Sequence, residues 1–453
     1  MSDPSVPCVD RPPPCAATER SAAQRHAARR WSLTAAVAAV QAVAAAATVA
    51  LWWVAARYWE PAQFALFLVA RRALTLVQLP VVTVFQLALI RFGAEAWARR
   101  DGRRRGELLA AGTALAVGLA ALVVVGLNLA ARPAAALVLG GEQHAAVVRA
   151  GACSAAAFVL YSVAYSELCG RLAVVRSCLW QLAATTLAPL AGFLAPGLDV
   201  AHMLLLQAAS VGSLAIWLLA RSLRRDWQAD CRPAGLLAAG VALARYGLPR
   251  VPGAVAAMLL LAAPAILAVA RDGPLAGACF ALGSSVLALV GGLLRPLTQL
   301  TVPLVSALAA TGDRRAVRRH ARRSLQAGGA LAVGGAALAQ LLVPWAPALL
   351  GPAYRDALPL LRILACGIAP YGMFVVLRDY LDACESRALN SRNLLLALAV
   401  LGVAGGVGVG GSALAWSFVA ALTALAGLSW RDVRSAVWQT GAAQRGVGTR
   451  RAA

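Results

Sequence analysis

Apolar runs long enough to cross a membrane recur along most of this chain. The hydrocarbon core of a bilayer needs roughly 20 apolar residues per spanning helix, and 60% of the 453 residues are hydrophobic against 13% charged. We therefore predict about twelve spanning helices. Helices are expected because unpaired backbone groups in lipid cost several kcal/mol each, and a barrel would need short alternating strands. The prediction is an all-α integral membrane fold without a sizeable soluble catalytic domain, hence no enzyme, no cofactor and no bound metal.

The charge of the chain is strongly basic, with a formal net charge of +23 from 42 basic residues against 19 acidic ones. Every basic residue is Arg, and most fall in alternate connections between the apolar runs. Cytoplasmic loops collect such residues, so we place both termini in the cytoplasm and expect contact with membrane lipids. The clusters within Arg99–Arg105 and Arg314–Arg323 are interpreted as topology signals against anionic headgroups. We do not expect nucleic-acid binding.

The chain divides into two similar halves. Arg149–Cys153 resembles Arg362–Cys366, and an Arg-rich connection follows the second helix of each half. Six helices per half give two parallel six-helix bundles around a central cavity, related by an axis along the membrane normal. The predicted organisation is a basic tail at 1–31, a first lobe at 32–222, a connection at 223–250, a second lobe at 251–430 and a basic tail at 431–453.

Arginines within the apolar runs are the main candidates for function. A centrally placed Arg costs at least about 2.5–3.5 kcal/mol on insertion scales and usually faces an interior cavity. If the second helix starts near Pro61, Arg71 and Arg72 lie about 15 Å along it; if it starts later, both extend to the outer headgroups. Arg295 precedes Pro296 in an unusually long apolar run, and a proline kinks a helix there. We expect these three to be cavity cations.

Arg378 and Arg149 are the second choices for the cavity. Arg378 and Asp382 are four residues apart on a helix and could instead form a local ion pair. Asp379 and Asp382 at one helix end make a poor Mg²⁺ site without further ligands. An ion-coupled exporter normally needs an acid within the membrane, and the first half has none deep in its apolar runs. Glu167 ends the fourth run beside Arg171 and could simply form a local pair.

Four segments from residue 243 onward form a recognisable set of motifs: Leu243–Gly253 (LARYGLPRVPG), Leu349–Ala357 (LLGPAYRDA), Leu360–Arg362 and Leu377–Ala383 (LRDYLDA). Together they resemble the corresponding segments of Wzx-type polysaccharide flippases. The resemblance covers most of the chain and is clearest between residues 243 and 400, whereas the first half matches less well.

This resemblance implies the fold of the multidrug/oligosaccharidyl-lipid/polysaccharide (MOP) exporters. The implied activity is transport of a polyprenyl-diphosphate-linked oligosaccharide from the inner to the outer leaflet of a bacterial inner membrane. The implied partners are that substrate and, as further candidates, polysaccharide polymerase or export proteins. A cationic cavity that receives the diphosphate is consistent with guanidinium groups, which bind phosphate oxygens in pairs.

Three other functions remain as alternatives. A multidrug antiporter of the same fold would need an acidic or aromatic cavity for organic cations, and a peptidoglycan-precursor flippase would share the diphosphate chemistry. A membrane glycosyltransferase would need a large outer loop with acidic or His residues, which the predicted spans do not leave.

Overall fold

The computed structural model describes residues 35–44, 46–47, 61–139, 141–187, 198–226, 233–272, 274–345, 355, 358–407 and 410–439. Within these ranges every regular element is helical. Nine of the described helical segments are long and apolar enough to cross a membrane, and two shorter apolar helices occur as well. The predicted all-α membrane fold is confirmed.

The first lobe consists of the helices before residue 248. A 3₁₀ turn (Glu142–His144) precedes α6, and a π-helical turn (Ala183–Leu187) follows α7. The helices are α1 (Ala35–Ala44), α2 (Pro61–Thr83), α3 (Gln86–Ala98), α4 (Gly102–Leu129), α5 (Ala131–Leu139), α6 (Ala145–Gly170), α7 (Val174–Leu182), α8 (Val200–Asp226) and α9 (Pro233–Gly247).

The second lobe follows a 3₁₀ turn at Leu248–Arg250, and a π-helical turn (Ser435–Gln439) follows its last helix. Its helices are α10 (Val251–Asp272), α11 (Pro274–Thr298), α12 (Thr301–Ala310), α13 (Arg314–Leu342), α14 (Leu358–Cys366), α15 (Ile368–Cys384), α16 (Leu389–Val407) and α17 (Gly411–Arg434).

Each lobe has its own apolar core. In the first lobe, buried residues of α3, α4, α6 and α8 pack together with α9. In the second lobe, α10, α11, α13, α15, α16 and α17 contribute to one continuous cluster. Packing of this kind buries the small residues that let membrane helices approach closely.

Part of the predicted connection at 223–250 is an ordered helix of the first lobe. Residues 233–247 form α9, and its Ala239 and Leu243 are fully buried against α3 and α4. The chain therefore passes from one lobe to the other at Leu248–Arg250. The tail predicted at 1–31 lies outside the described residues, and residues 431–439 of the second predicted tail are helical. The lobe boundaries at 32–222 and 251–430 stay a prediction.

The Arg-rich connections of the two halves share one backbone design. Arg100 (φ 55°) precedes α4 and Gly312 (φ 79°) precedes α13, both in the left-handed region. The next residue caps the helix in each case: the Asp101 carboxylate accepts from a backbone N–H three residues on at 2.8 Å, and the Asp313 carboxylate does so at 2.9 Å. A left-handed residue followed by an N-cap Asp reverses the chain tightly between two helices. This equivalence supports the two-fold repeat that the sequence indicates.

These connections lie at one end of the molecule, which we call the Arg-rich end. Arg225 at the end of α8 pairs with Glu167 at the end of α6, at 3.3 Å. Arg318 near the start of α13 donates to the Val437 carbonyl after α17, at 3.1 Å. The assignment of this end to the cytoplasm stays a prediction.

Candidate functional site

A central cavity of about 450 Å³ lies between the two lobes. From the first lobe, α2, α3, α6 and α7 contribute mostly neutral polar and aromatic side chains, including Gln78, Tyr161 and Gln181. From the second lobe, α11, α12 and α15 contribute all the charged groups that line the described cavity. The cavity is therefore polar on one wall and charged on the other.

The charged wall consists of Arg295, Arg378 and Asp379. Arg378 Nε lies 3.3 Å from Asp379 Oδ1, and the Asp379 side chain is 10% exposed. Arg295 is exposed toward the cavity, and no carboxylate of the described residues lies within ion-pair distance of it. Two cations and one paired anion leave one excess positive charge, carried by a guanidinium without an acidic partner.

Gln299 joins the two lobes at the base of the cavity, in the break between α11 and α12. Its amide nitrogen donates to Tyr165 Oη at 3.1 Å and to Gln181 Oε1 at 3.4 Å. Its Oε1 accepts from Gln41 Nε2 at 3.1 Å and from Cys178 Sγ at 3.2 Å. All four partners belong to the first lobe, so this one amide ties the second lobe to α1, α6 and α7.

A second set of inter-lobe contacts, which we call the latch, lies toward the Arg-rich end. Arg91 on α3 donates to the carbonyls of Asp382 and Glu385, beyond the cavity-lining part of α15. Tyr246 on α9 donates from its hydroxyl to the Asp382 carbonyl. Arg250, only 4% exposed, pairs with Asp382 Oδ1 at 3.2 Å. Both guanidinium groups lie over the Tyr246 ring, at 5.3 Å for Arg91 and 3.5 Å for Arg250.

The architecture is similar to solved structures of known transporters. An outward-facing multidrug resistance MATE transporter of the MOP superfamily superposes with a TM-score of 0.75 at 10% identity, covering 89% of this chain and 95% of its own. A MOP superfamily transporter from Pyrococcus furiosus gives 0.74 at 13% identity, with 89% and 95% covered. The eukaryotic MATE transporter AtDTX14 gives 0.71 at 11% identity, with 90% and 99% covered. The chain has the MOP transporter fold.

No family model matches the sequence, and no curated protein matches it either. At such low identity the likeness establishes the fold alone. The predicted two bundles around a central cavity are confirmed, whereas the Wzx-type specialisation stays a proposal.

The MOP fold brings only some of the predicted arginines together. Arg295 and Arg378 line the same cavity. Arg71 lies one turn before the cavity-lining Thr75 on α2, but it does not line the described cavity, and its Nη1 is buried without a hydrogen-bond partner. Arg149 is exposed near the start of α6, away from the cavity. The backbone of Arg72 lies in α2, but its side chain lies outside the described part of the structure.

The local ion pair considered between Arg378 and Asp382 is wrong. Arg378 pairs with its neighbour Asp379, and Asp382 pairs with Arg250 instead. The pairing considered for Glu167 is correct but incomplete, because Glu167 contacts Arg225 as well as Arg171. Residue spacing along one helix could not reveal that Asp382 pairs with Arg250 or that Glu167 pairs with Arg225, because both arginines lie elsewhere in the chain.

The residues that join the lobes were not predicted from the sequence. Gln299 is neutral, and glutamine in an apolar run is a weak signal of a buried hydrogen-bond network. Arg250 belongs to a motif that supported the family resemblance, but its position at a predicted helix entrance resembled a topology signal. Cations near the end of a helix such as α15 satisfy its last carbonyls, and a search for such pairs could have suggested Arg250.

Proposed function

We propose that this protein transports polyprenyl-diphosphate-linked oligosaccharide from the inner to the outer leaflet of a bacterial inner membrane. The observation that carries the proposal is Arg295, a cavity guanidinium without an ion-pair partner among the described residues. A diphosphate esterified at both ends carries one negative charge on each phosphate, and its paired oxygens match the guanidinium fork. The neutral polar wall opposite, with Gln78, Gln181 and Tyr161, suits hydroxyl-rich sugar.

The proposed mechanism is rocking of one lobe against the other around this site. The Gln299 contacts and the latch hold the lobes together on the side of the Arg-rich end, so the structure corresponds to a state closed on that side. Access from the Arg-rich end requires both sets of contacts to break. Binding of the anionic cargo beside Arg295 would favour whichever state completes the phosphate contacts.

Two rival functions share the fold. One MATE neighbour is a multidrug resistance transporter, and for such a role Asp379 would be the acidic group for an organic cation. Asp379 is nevertheless paired with Arg378, which opposes that role. The Pyrococcus furiosus neighbour has a binding pocket of reversed polarity that suggests a different function, so the fold accommodates cavities of opposite charge. A peptidoglycan-precursor flippase would bind the same diphosphate group, and its cargo would differ from the proposed one only in the sugar.

Substitution of Arg295 tests the proposal. In proteoliposomes that hold a polyprenyl-diphosphate oligosaccharide, Arg295→Ala should lower the initial transport rate about tenfold or more, because charge-assisted phosphate contacts are lost. Arg295→Lys should recover only part of the rate, because an ammonium cannot form the paired contact. Arg322→Ala removes an exposed Arg of α13 and should leave the rate unchanged. Wild-type transport by Arg295→Ala would contradict the proposal.

A further inference from the structure

The end of α8 carries an aromatic and cationic stripe outside the central cavity. Ala220 and Arg221 follow Trp217 by three and four residues, and Arg224 follows it by seven, so the four residues share one helix face. Together with Arg225 they line a cleft of about 590 Å³ on the outside of the first lobe, at the Arg-rich end. The small Ala220 side chain leaves a notch between the indole and the Arg224 guanidinium.

A second cleft of about 540 Å³ lies between α8 and α4. Arg224 lines this cleft as well, together with Leu223 and the small side chains Ala110, Thr113 and Ala114 of α4. Val117, one turn further along α4, is 53% exposed and extends the apolar surface away from the Arg-rich end. The two clefts thus share one cation and lead from a charged end to an apolar groove.

Aromatic contacts hold the charged end in place. Arg221 Cζ lies 5.6 Å from the centre of the Trp217 ring, within cation–π range. Trp180 on α7 packs edge-on against Trp217, with ring centroids 5.6 Å apart. Trp rings are enriched at the headgroup level of a bilayer, so we expect Arg221 and Arg224 to lie at the depth of lipid phosphates.

The charged residues that line the described part of the two clefts are all Arg, and no acidic residue is among them. Arg225 is paired with Glu167 at the rim. Arg221 and Arg224 have no carboxylate within ion-pair distance among the described residues. A ligand of these clefts must therefore carry negative charge at one end and apolar groups at the other.

We propose that the two clefts bind one anionic glycerophospholipid. Its phosphate lies between Arg221 and Arg224, and one acyl chain follows the groove between α4 and α8. Free phosphate would leave the apolar groove unfilled, and a zwitterionic lipid would bring its own cation to the Arg pair. The site is independent of the cargo proposed for the central cavity, so failure of either proposal leaves the other standing.

The test is a lipid titration of the purified full-length protein in detergent, followed by native mass spectrometry. Dioleoyl phosphatidylglycerol should bind more tightly than dioleoyl phosphatidylcholine. In Arg221→Gln/Arg224→Gln, the dissociation constant for the tightest phosphatidylglycerol should rise about tenfold, because two charge-assisted contacts are lost. The matched control Arg322→Gln/Arg323→Gln removes two exposed arginines of α13 and should keep the wild-type affinity.

Three results would overturn the proposal. Equal weakening in the control would show general attraction to a basic surface, and equal binding of phosphatidylcholine would exclude a site for anionic lipid. Displacement of phosphatidylglycerol by an equal concentration of inorganic phosphate would make the ligand a free anion. If the double Gln variant fails to fold, Ala220→Trp fills the notch without changing charge and should weaken phosphatidylglycerol binding, whereas unchanged binding would contradict the site.

Discussion

Two cavity arginines differ in what balances their charge. Arg378 has Asp379 beside it, whereas Arg295 has no acidic partner among the described residues. An unpaired charge on the wall of a cavity inside a membrane protein tends to mark a binding site for the opposite charge. Arg295 is therefore the more specific candidate for phosphate contact, and Arg378 with Asp379 forms a neutral pair at its side.

Gly247 is predicted to be essential for the junction between the lobes. A Cβ atom at this position would overlap the Val84 carbonyl oxygen between α2 and α3, and a backbone atom cannot move aside easily. Gly247→Ala should destabilise the protein by about 1–3 kcal/mol, as overpacking does. A lower melting temperature and a lower yield of monodisperse protein would show this.

Gly118 provides the matched control. Nothing lies within 4 Å of the position that its Cβ would occupy on α4. Gly118→Ala should be neutral or stabilising by up to about 1 kcal/mol, because Ala favours helix. A Gly247→Ala protein that melts at or above the wild-type temperature would contradict the close approach at Val84.

The sequence indicated Arg71, Arg72 and Arg295 as first candidates for the cavity, and Arg378 and Arg149 as second ones, because an Arg in an apolar run is costly. It could not show which of them line the cavity. Their position relative to the cavity depends on how each helix is rotated about its axis, and packing between helices sets that rotation. A hydropathy pattern indicates that a charged side chain is costly at a position, but it does not indicate the direction in which that side chain points.

The break between α11 and α12 is the element that joins the lobes through one side chain. Gln299→Leu keeps the approximate volume but removes every hydrogen bond of that amide, including the one from the Cys178 thiol. The first-lobe partners of Gln299 would lose their hydrogen bonds, and buried polar groups left unpaired cost about 1–3 kcal/mol each. The two lobes should therefore separate more often around position 299. The expected result is faster modification of Cys178 by a small water-soluble thiol reagent, measured by mass spectrometry of its peptide.

Thr185→Val is the control for this element. Thr185 also lines the cavity, but its hydroxyl donates to the Gln181 carbonyl within its own helix. In this variant, the thiol reagent should modify Cys178 at the wild-type rate. If Gln299→Leu does the same, the Gln299 hydrogen bonds do not hold the base of the cavity closed.

At the scale of elements, the sequence predicted the helices correctly, whereas the lobe boundaries at 32–222 and 251–430 stay a prediction. Apolar length and the Arg-rich connections were sufficient for the helical order, because both follow from the cost of placing polar groups in lipid. The packing of α9 on the first lobe was not predicted. Its Ala239 and Leu243 belong to an apolar run that merges with α10, and only tertiary contacts show where one lobe ends.

At the scale of the whole molecule, the latch should set the balance between the two access states. Arg91→Gln/Tyr246→Phe removes the contacts that the first lobe makes to the end of α15, while Arg250 and Asp382 remain paired. The state open at the Arg-rich end should become more populated. Amide hydrogen exchange should then rise in the peptides of α3 and α12, which pack against each other across the lobes.

Arg99→Gln tests whether loss of charge alone explains such a change. Arg99 is exposed at the Arg-rich end and caps α3 without contacting the second lobe in the described structure. Amide hydrogen exchange of α3 and α12 in this variant should match that of the wild type. Equal protection of α3 and α12 in the latch variant and the wild type would mean that these contacts do not govern opening.

The most direct test of the central claim compares two cargoes in the same proteoliposomes. One is a polyprenyl-diphosphate oligosaccharide, whose arrival in the opposite leaflet is followed by an enzyme that acts on its sugar from outside. The other is a fluorescent organic cation. We expect the wild-type protein to move the diphosphate lipid and not the cation, because the cavity carries excess positive charge at Arg295. Transport of the cation without movement of the diphosphate lipid would contradict it.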